Sequence, residues 1–210
     1  ELTQGTARDR IVSVTDPEMR HGRKSAAHRF DGFKASVSID QKSELILDAD
    51  DLAANAGDGE ALMPSIERVE EHADVVVERA IGDGAYISGD NLAACANHRD
   101  AQGQPRPIDL VGPLRQPVKP DVHKSAFEID LEQQTCTCPQ GQTVSGQVVK
   151  DQQRREVLKF AFERQSCEAC PRFADCVRSK KHGRTVTSHA HEALLRKARA
   201  RQQSDGFKAL

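Results

Sequence analysis

"VVVERAIGDGAY", Val75 to Tyr86, is the stretch on which the reading of the fold turns. An apolar run ends in one acidic residue, Asp83, set between Gly82 and Gly84 and followed by Tyr86, the chain's only tyrosine. Val75 to Asp83 reads as a buried strand, because its apolar residues are largely consecutive. Glycines beside a strand-end carboxylate let another backbone or a ligand come close, as a metal or phosphate site requires; the same residues also describe an ordinary turn.

Downstream, "SGDNLAACANH" (Ser88–His98) reads as a short helix with Ser88 as its N-cap and Cys95, a small buried hydrophobe, on its apolar side. Upstream, "DGEALMPSIERVEEHA" (Asp58–Ala73) puts Leu62, Ile66 and Val69 on one helical face, with Pro64 tolerable only near the first turn. Three earlier runs, Arg10–Val14, Phe33–Ile39 and Ser43–Ala49, have strand character, and Asp40–Lys42 joins the last two as an antiparallel hairpin. The order strand, strand, strand, helix, strand, helix predicts an α/β domain with a mixed sheet.

Composition sets limits on the rest. The chain has 210 residues, 37% hydrophobic and 30% charged, with no tryptophan, which predicts a modest core, a heavily charged surface, and room for one core plus a small appended module. No run approaches the roughly 18 apolar residues of a membrane span, and "ELTQGTARDR" has no leader-like apolar stretch, so the expected compartment is the cytoplasm. Position 1 is not methionine, which suits a piece of a longer chain or a processed product.

The net charge of −2 conceals segregation along the chain. Residues 40–100 hold 15 acidic against 4 basic side chains, whereas 177–203 hold 8 basic against Glu192 alone. A second basic patch, Arg20–Lys34, has 5 basic residues against Asp31. Such patches suit a polyanion, because each cation on a phosphate releases a counterion; a solvated surface is the plainer alternative.

Past residue 103 the texture changes. "QPRPIDLVGPLRQPVKPD" (Gln104–Asp121) carries five prolines in eighteen residues, which predicts a boundary or an extended crossing. A cysteine-bearing stretch follows, then "HEALLRKARARQQ" (His191–Gln203), a basic helix with Leu194, Leu195 and Ala198 on its apolar side. "CTC" gives Cys136 and Cys138 and, after 28 intervening residues, "CEACPRFADC" gives Cys167, Cys170 and Cys176. Two close-spaced groups fit tetrahedral thiolate ligation of a structural Zn²⁺ ion by Cys136, Cys138, Cys167 and either Cys170 or Cys176; reduced, unligated thiols are the alternative.

Several stretches taken together carry a resemblance. "DPEMRHGRKS", "FDGFKASVSID", "AANAGD", "IGDGAY", "TCTCPQG", "FAFERQSCEACPRFADC" and "GRTVTSHAHEALLRKARA" follow one another in this order. From about Asp9 to Lys208 the chain resembles a bacterial insertion-sequence transposase of the DDE class, in the subgroup with a cysteine-bearing insertion. The resemblance implies an RNase H-like mixed sheet with flanking helices, and two Mg²⁺ or Mn²⁺ ions held by two Asp and one Glu for cleavage and strand transfer of DNA. Asp83 matches the second Asp, and Asp58 falls on a position read as a helix N-cap. No carboxylate here stands in the first Asp's context, and the Glu lies beyond "DGFKAL" (Asp205–Leu210), so the chain reads as an internal fragment that is inactive alone.

The implied organisation is a partial catalytic core over 1–112, the proline-rich crossing and cysteine insertion over 113–186, and over 187–210 a basic helix leading back to the core. The expected partner is DNA, both transposon ends and target, with a homo-oligomeric assembly at the bacterial nucleoid and no membrane. Arg20, Arg23, Lys24, Arg29 and Lys34 in one patch, and Arg184, Arg196, Lys197, Arg199 and Arg201 in the other, are the candidate phosphate contacts. A truncated DNA-binding or regulatory derivative, or a pseudogene product, are the competing readings.

Overall fold

The computed structural model describes residue 7, residues 9–25 and residues 27–208, with the side chain of residue 208 left aside. Most of "ELTQGTARDR" and the last two residues of "DGFKAL" therefore lie outside the described residues. The chain is mixed α/β, as expected, and divides into two compact units, Glu1–Pro113 and Leu114–Leu210. Among the described residues no helix is long and apolar enough to cross a membrane.

The first unit contains a three-stranded antiparallel sheet in the order β1 (Arg20–Arg23), β2 (Arg29–Ile39), β3 (Ile46–Ala53). Arg10–Val14, expected as a strand, is irregular; the first strand instead lies in the basic patch, where its backbone finds a partner in the start of β2, pairing Arg20 with Gly32 and Arg23 with Arg29. The β2–β3 hairpin forms as expected, with a register shift at Ser38/Ile39 and the Asp40 carboxylate accepting the N–H and hydroxyl of Ser43. A short 3-10 turn (Asp58–Ala61) leads into α1 (Leu62–Ala73), which buries Leu62, Ile66 and Val69, with Pro64 in its first turn. Asp58 is not the cap that was expected: Gly57 caps the 3-10 turn and Ala61 caps α1, and the Asp58 carboxylate pairs with Lys34.

β3 meets α1 through polar groups. Arg68 donates from Nε and a terminal nitrogen to the two oxygens of Asp48, each at 2.9 Å, and the Ser65 hydroxyl donates to the same carboxylate at 2.6 Å. The Arg68 hydrogen bonds, with help from Ser65, hold the Asp48 carboxyl below its ordinary value against the opposing effect of burial.

The run expected as one long buried strand is corrected by the structure. β4 covers only Arg79–Ile81, and Val75, Val76 and Ile81 are 41%, 57% and 50% exposed. Among the described residues β4 pairs, in parallel, with β5 (Asp109–Val111) alone, and no second strand there covers its apolar side chains. α2 (Gly89–Ala96) follows, with the Ser88 hydroxyl accepting the N–H of Asn91 at 3.1 Å, as the N-cap expectation required. Cys95 is buried and packs toward Met63, and burial raises its thiol to about 11.

The second unit is built on a five-stranded antiparallel sheet, β6 (Glu128–Asp130), β7 (Thr135–Thr137), β8 (Thr143–Lys150), β9 (Glu156–Ala161) and β10 (Thr185–Thr187), neighbours in that order. Phe127, Ile129, Cys136, Leu158, Phe160, Phe162 and Val186 form its buried cluster. Between β9 and β10 run two single-turn helices, α3 (Arg164–Glu168) and α4 (Phe173–Cys176). The basic helix α5 (Glu192–Gln202) buries Leu195, and a last turn, α6, spans Asp205–Lys208.

Candidate active site

Asp83 sits just past the carboxyl end of a parallel strand, where open α/β sheets place their ligands. The β4–β5 ladder continues through Gly82, whose N–H donates to Val111 O at 3.0 Å, and the chain then leaves the sheet. A tight turn follows. Asp83 Oδ1 accepts the N–H of Ala85 at 2.7 Å, and Asp83 O accepts the N–H of Tyr86 at 3.1 Å. This Asx turn fixes the exposed carboxylate on a defined backbone.

Two side chains secure that turn. Asn91 Nδ2 donates both to Tyr86 O at 2.9 Å and to Gly59 O at 3.0 Å, which ties the loop after β4 to the turn before α1. The ring of Tyr86 lies against Gly82, where a Cβ would stand 3.2 Å from ring carbons. The glycines beside Asp83 were expected to admit metal or DNA; the space over Gly82 is taken by Tyr86, and a Cβ on Gly84 would meet Pro113 O at 3.0 Å.

The two-ion arrangement does not fit the residues present. Asp83 is one exposed carboxylate, and among the described residues no three His, Cys, Asp or Glu side chains are grouped so as to hold a metal ion. Two dications with mostly oxygen ligands need several carboxylates, and one does not hold the pair.

The first basic patch is gathered on one surface. Arg10, Arg20, His21, Arg23, Arg29 and Lys34 line a depression of about 870 Å³ beside the β1–β2 ladder. Lys34 is engaged within it by the Asp58 carboxylate and Ala56 O, His21 contacts Asp31, and Arg20 donates to the carbonyls of Pro17 and Met19. Lys24 stands exposed in the turn between β1 and β2. Arg10, missed as a site residue, lies ten residues upstream of the charge cluster, and only the fold brings it to this depression.

The second patch is arranged differently. The Arg184 guanidinium donates to Cys176 O at 3.2 Å and Val122 O at 3.1 Å and lies 5.5 Å from the Phe127 ring centre. Arg196 donates to Ile129 O, and Arg199 stands 3.8 Å from buried Glu192. Lys197 is exposed and Arg201 half-buried on α5.

The five clustered cysteines separate by depth. Cys136 is 0% exposed in the core cluster, and burial first, then the neighbouring Cys138, raises its thiol to about 11. Cys138, Cys167, Cys170 and Cys176 are half-buried, and all four line one cavity of about 440 Å³.

A family profile described as "Transposase DDE domain" matches residues 6–157, and a second with the same description matches 137–210. The chain belongs to the transposase DDE domain family. The family acts on DNA and generally uses divalent metal ions. No curated protein and no solved structure matches the chain. In this transposase domain Asp83 is the exposed carboxylate just past the end of β4.

Proposed function

We propose that this chain supplies Asp83 to the catalytic centre of a DDE transposase, an assembly that cleaves transposon ends and joins them to target DNA with Mg²⁺ or Mn²⁺. The observation that carries this reading is the position of Asp83. It is an exposed carboxylate at the carboxyl end of a parallel strand, in a chain of the transposase DDE family. Its backbone is fixed by the Ala85 and Tyr86 N–H groups and by the Asn91 clamp, which is what orienting a metal ligand requires. One carboxylate cannot hold a metal pair, so this chain by itself carries out neither cleavage nor strand transfer.

The test is calorimetric titration of Mg²⁺ and Mn²⁺ into this chain and into the full reading frame that encodes it, each with and without Asp83→Ala. Binding by the full product that is lost on substitution supports the assignment. Equal weak binding in all four samples reduces Asp83 to a turn residue.

A second reading, a DNA-binding or regulatory derivative, is favoured by the depression that Arg10, Arg20, Arg23 and Arg29 line. Association with duplex DNA that falls steeply with salt and needs no divalent ion supports it.

A further inference from the structure

We propose that Cys138, Cys167, Cys170 and Cys176 together hold one structural Zn²⁺ ion, and that Cys136 is not among its ligands. The proposal stands apart from the Asp83 reading, because it concerns other residues, another metal and the second unit alone.

Three separate segments converge here. Cys138 follows β7 directly, at the tight turn to β8, where Gly141 N–H donates to Cys138 O at 2.9 Å and Cys138 N–H to Gln142 O at 2.8 Å. Cys167 and Cys170 lie on consecutive turns at the end of α3, the Cys170 N–H donating to Cys167 O at 3.0 Å. Cys176 closes α4. Cys138, Cys167 and Cys176 all pack against the edge of the apolar cluster, and all four thiols are free and border the same cavity. Four soft sulfur donors are the set that selects zinc in a closed tetrahedral site.

The backbone around them is already disposed toward sulfur as an acceptor. Arg172 N–H donates to Cys170 Sγ at 3.4 Å, an interaction that strengthens when the thiol becomes a thiolate. Arg184 borders the cavity as well, and its buried Nε has no hydrogen-bond partner among the described residues. A buried donor without an acceptor is costly, and a zinc-bound thiolate supplies one. Four thiolates on one Zn²⁺ leave a charge of about −2, part of which Arg184 on the cavity wall offsets, while Arg172, also on the wall, is paired with Asp121.

Cys136 has the right spacing in sequence but the wrong depth. It is wholly buried on the strand, paired opposite Ile129 and Val144, while Cys138 two residues on reaches the cavity. The four other thiols are not grouped at ligating distance without metal. The ion would draw them in by side-chain rotation and movement of the one-turn helices α3 and α4, and would close the 28-residue stretch between Cys138 and Cys167.

The test uses the full 210-residue chain, purified under strong reductant, with metal content measured by mass spectrometry and Co²⁺ exchanged for Zn²⁺. The expected result is roughly one zinc per chain and an intense sulfur-to-cobalt charge-transfer band typical of tetrahedral thiolate ligation. Cys138→Ser, Cys167→Ser, Cys170→Ser and Cys176→Ser each weaken retention by at least tenfold in competition with a chromogenic chelator, while Cys95→Ala and Cys136→Ala leave it unchanged. The cobalt spectrum of the unaltered chain decides whether a tetrahedral thiolate site forms even if a variant fails to fold, and Cys136→Ala decides whether Cys136 belongs to it. Reduced, folded chain without metal and without the cobalt band overturns the proposal. So do disulfides among these four cysteines in freshly isolated protein, or full loss of zinc on Cys136→Ala in a variant shown to be folded.

Discussion

Gly112 lies against the carbonyl of Gly82 so closely that a Cβ on Gly112 would collide with that oxygen and stand 2.7 Å from Ile87 Cδ1. The approach joins the ends of β4 and β5 immediately before the Asp83 turn. Gly112→Ala therefore has to push the two strand ends apart, and neither the Gly82 backbone nor the buried Ile87 can yield cheaply. The expected cost is about 1–3 kcal/mol of unfolding free energy, read by urea denaturation, with loss of protection at the Gly82 and Tyr86 amides in hydrogen exchange. Unchanged exchange at both amides would mean that the strand ends are not coupled to the Asp83 turn.

Asp83 itself is predicted to be dispensable for stability. Its carboxylate is exposed and makes one local hydrogen bond, to Ala85 N–H. Asp83→Asn keeps an acceptor at the same place and should change stability by less than about 0.5 kcal/mol, while abolishing divalent-ion-dependent DNA cleavage in the complete transposase. Retained cleavage in a folded Asp83→Asn enzyme would remove this residue from the catalytic set.

Some of this was legible in the sequence, for local reasons. Leu62, Ile66 and Val69 announce the buried face of α1 by their spacing, and Ser88 announces a cap because its hydroxyl has one nearby amide to satisfy. The length of β4 was not legible, since consecutive valines are compatible with burial but do not supply the neighbouring strand that would cause it. β5 was hidden inside the proline-rich stretch, where Asp109–Val111 is a short run between Pro107 and Pro113 that, among the described residues, pairs on one side only. On β2 the alternation is plain, yet the buried face carries Ser36 while Val37 and Ile39 are 54% and 60% exposed. Polar partners on α1 reverse the usual rule there, because Asp48, Ser65, Ser38 and Arg68 satisfy one another. The site divides in the same way: a strand-end Asp beside glycines can be read from spelling, whereas the engagement of Arg184 and Arg196 by carbonyl groups is a tertiary fact.

DNA binding by the first unit should be electrostatic and sequence-independent. Arg20, Arg23 and Arg29 line the depression beside β1 and β2, whereas Lys34 is engaged by Asp58. Substituting Arg23 or Arg29 by Ala should lower the slope of log K against log salt by about 0.9 for each phosphate no longer neutralised, in fluorescence anisotropy on random duplexes. Lys34→Ala should change it less. An equal change for all three, or none for any, would place the DNA elsewhere.

The acid limit of the second unit should be set in part by Glu192. Its side chain is 3% exposed in the first turn of α5, where it pairs with Lys124, accepts the His189 N–H at 2.8 Å and stands 3.8 Å from Arg199. Burial acts to raise its carboxyl, but Lys124, the His189 N–H and Arg199 outweigh burial and hold it below its ordinary 4.5. A carboxyl lowered by folding contributes stability that is fully present above 4.5 and is lost as pH falls through the folded value. Between roughly pH 5 and pH 3, Glu192→Gln should therefore flatten the fall in stability while lowering the plateau at neutral pH. Lys124→Ala leaves the buried carboxylate without its main partner and should cost about 3 kcal/mol at pH 7, with much of that loss recovered when Glu192→Gln is added. If the double variant is no more stable than Lys124→Ala alone, the pair is not coupled and the acid limb belongs to other carboxylates.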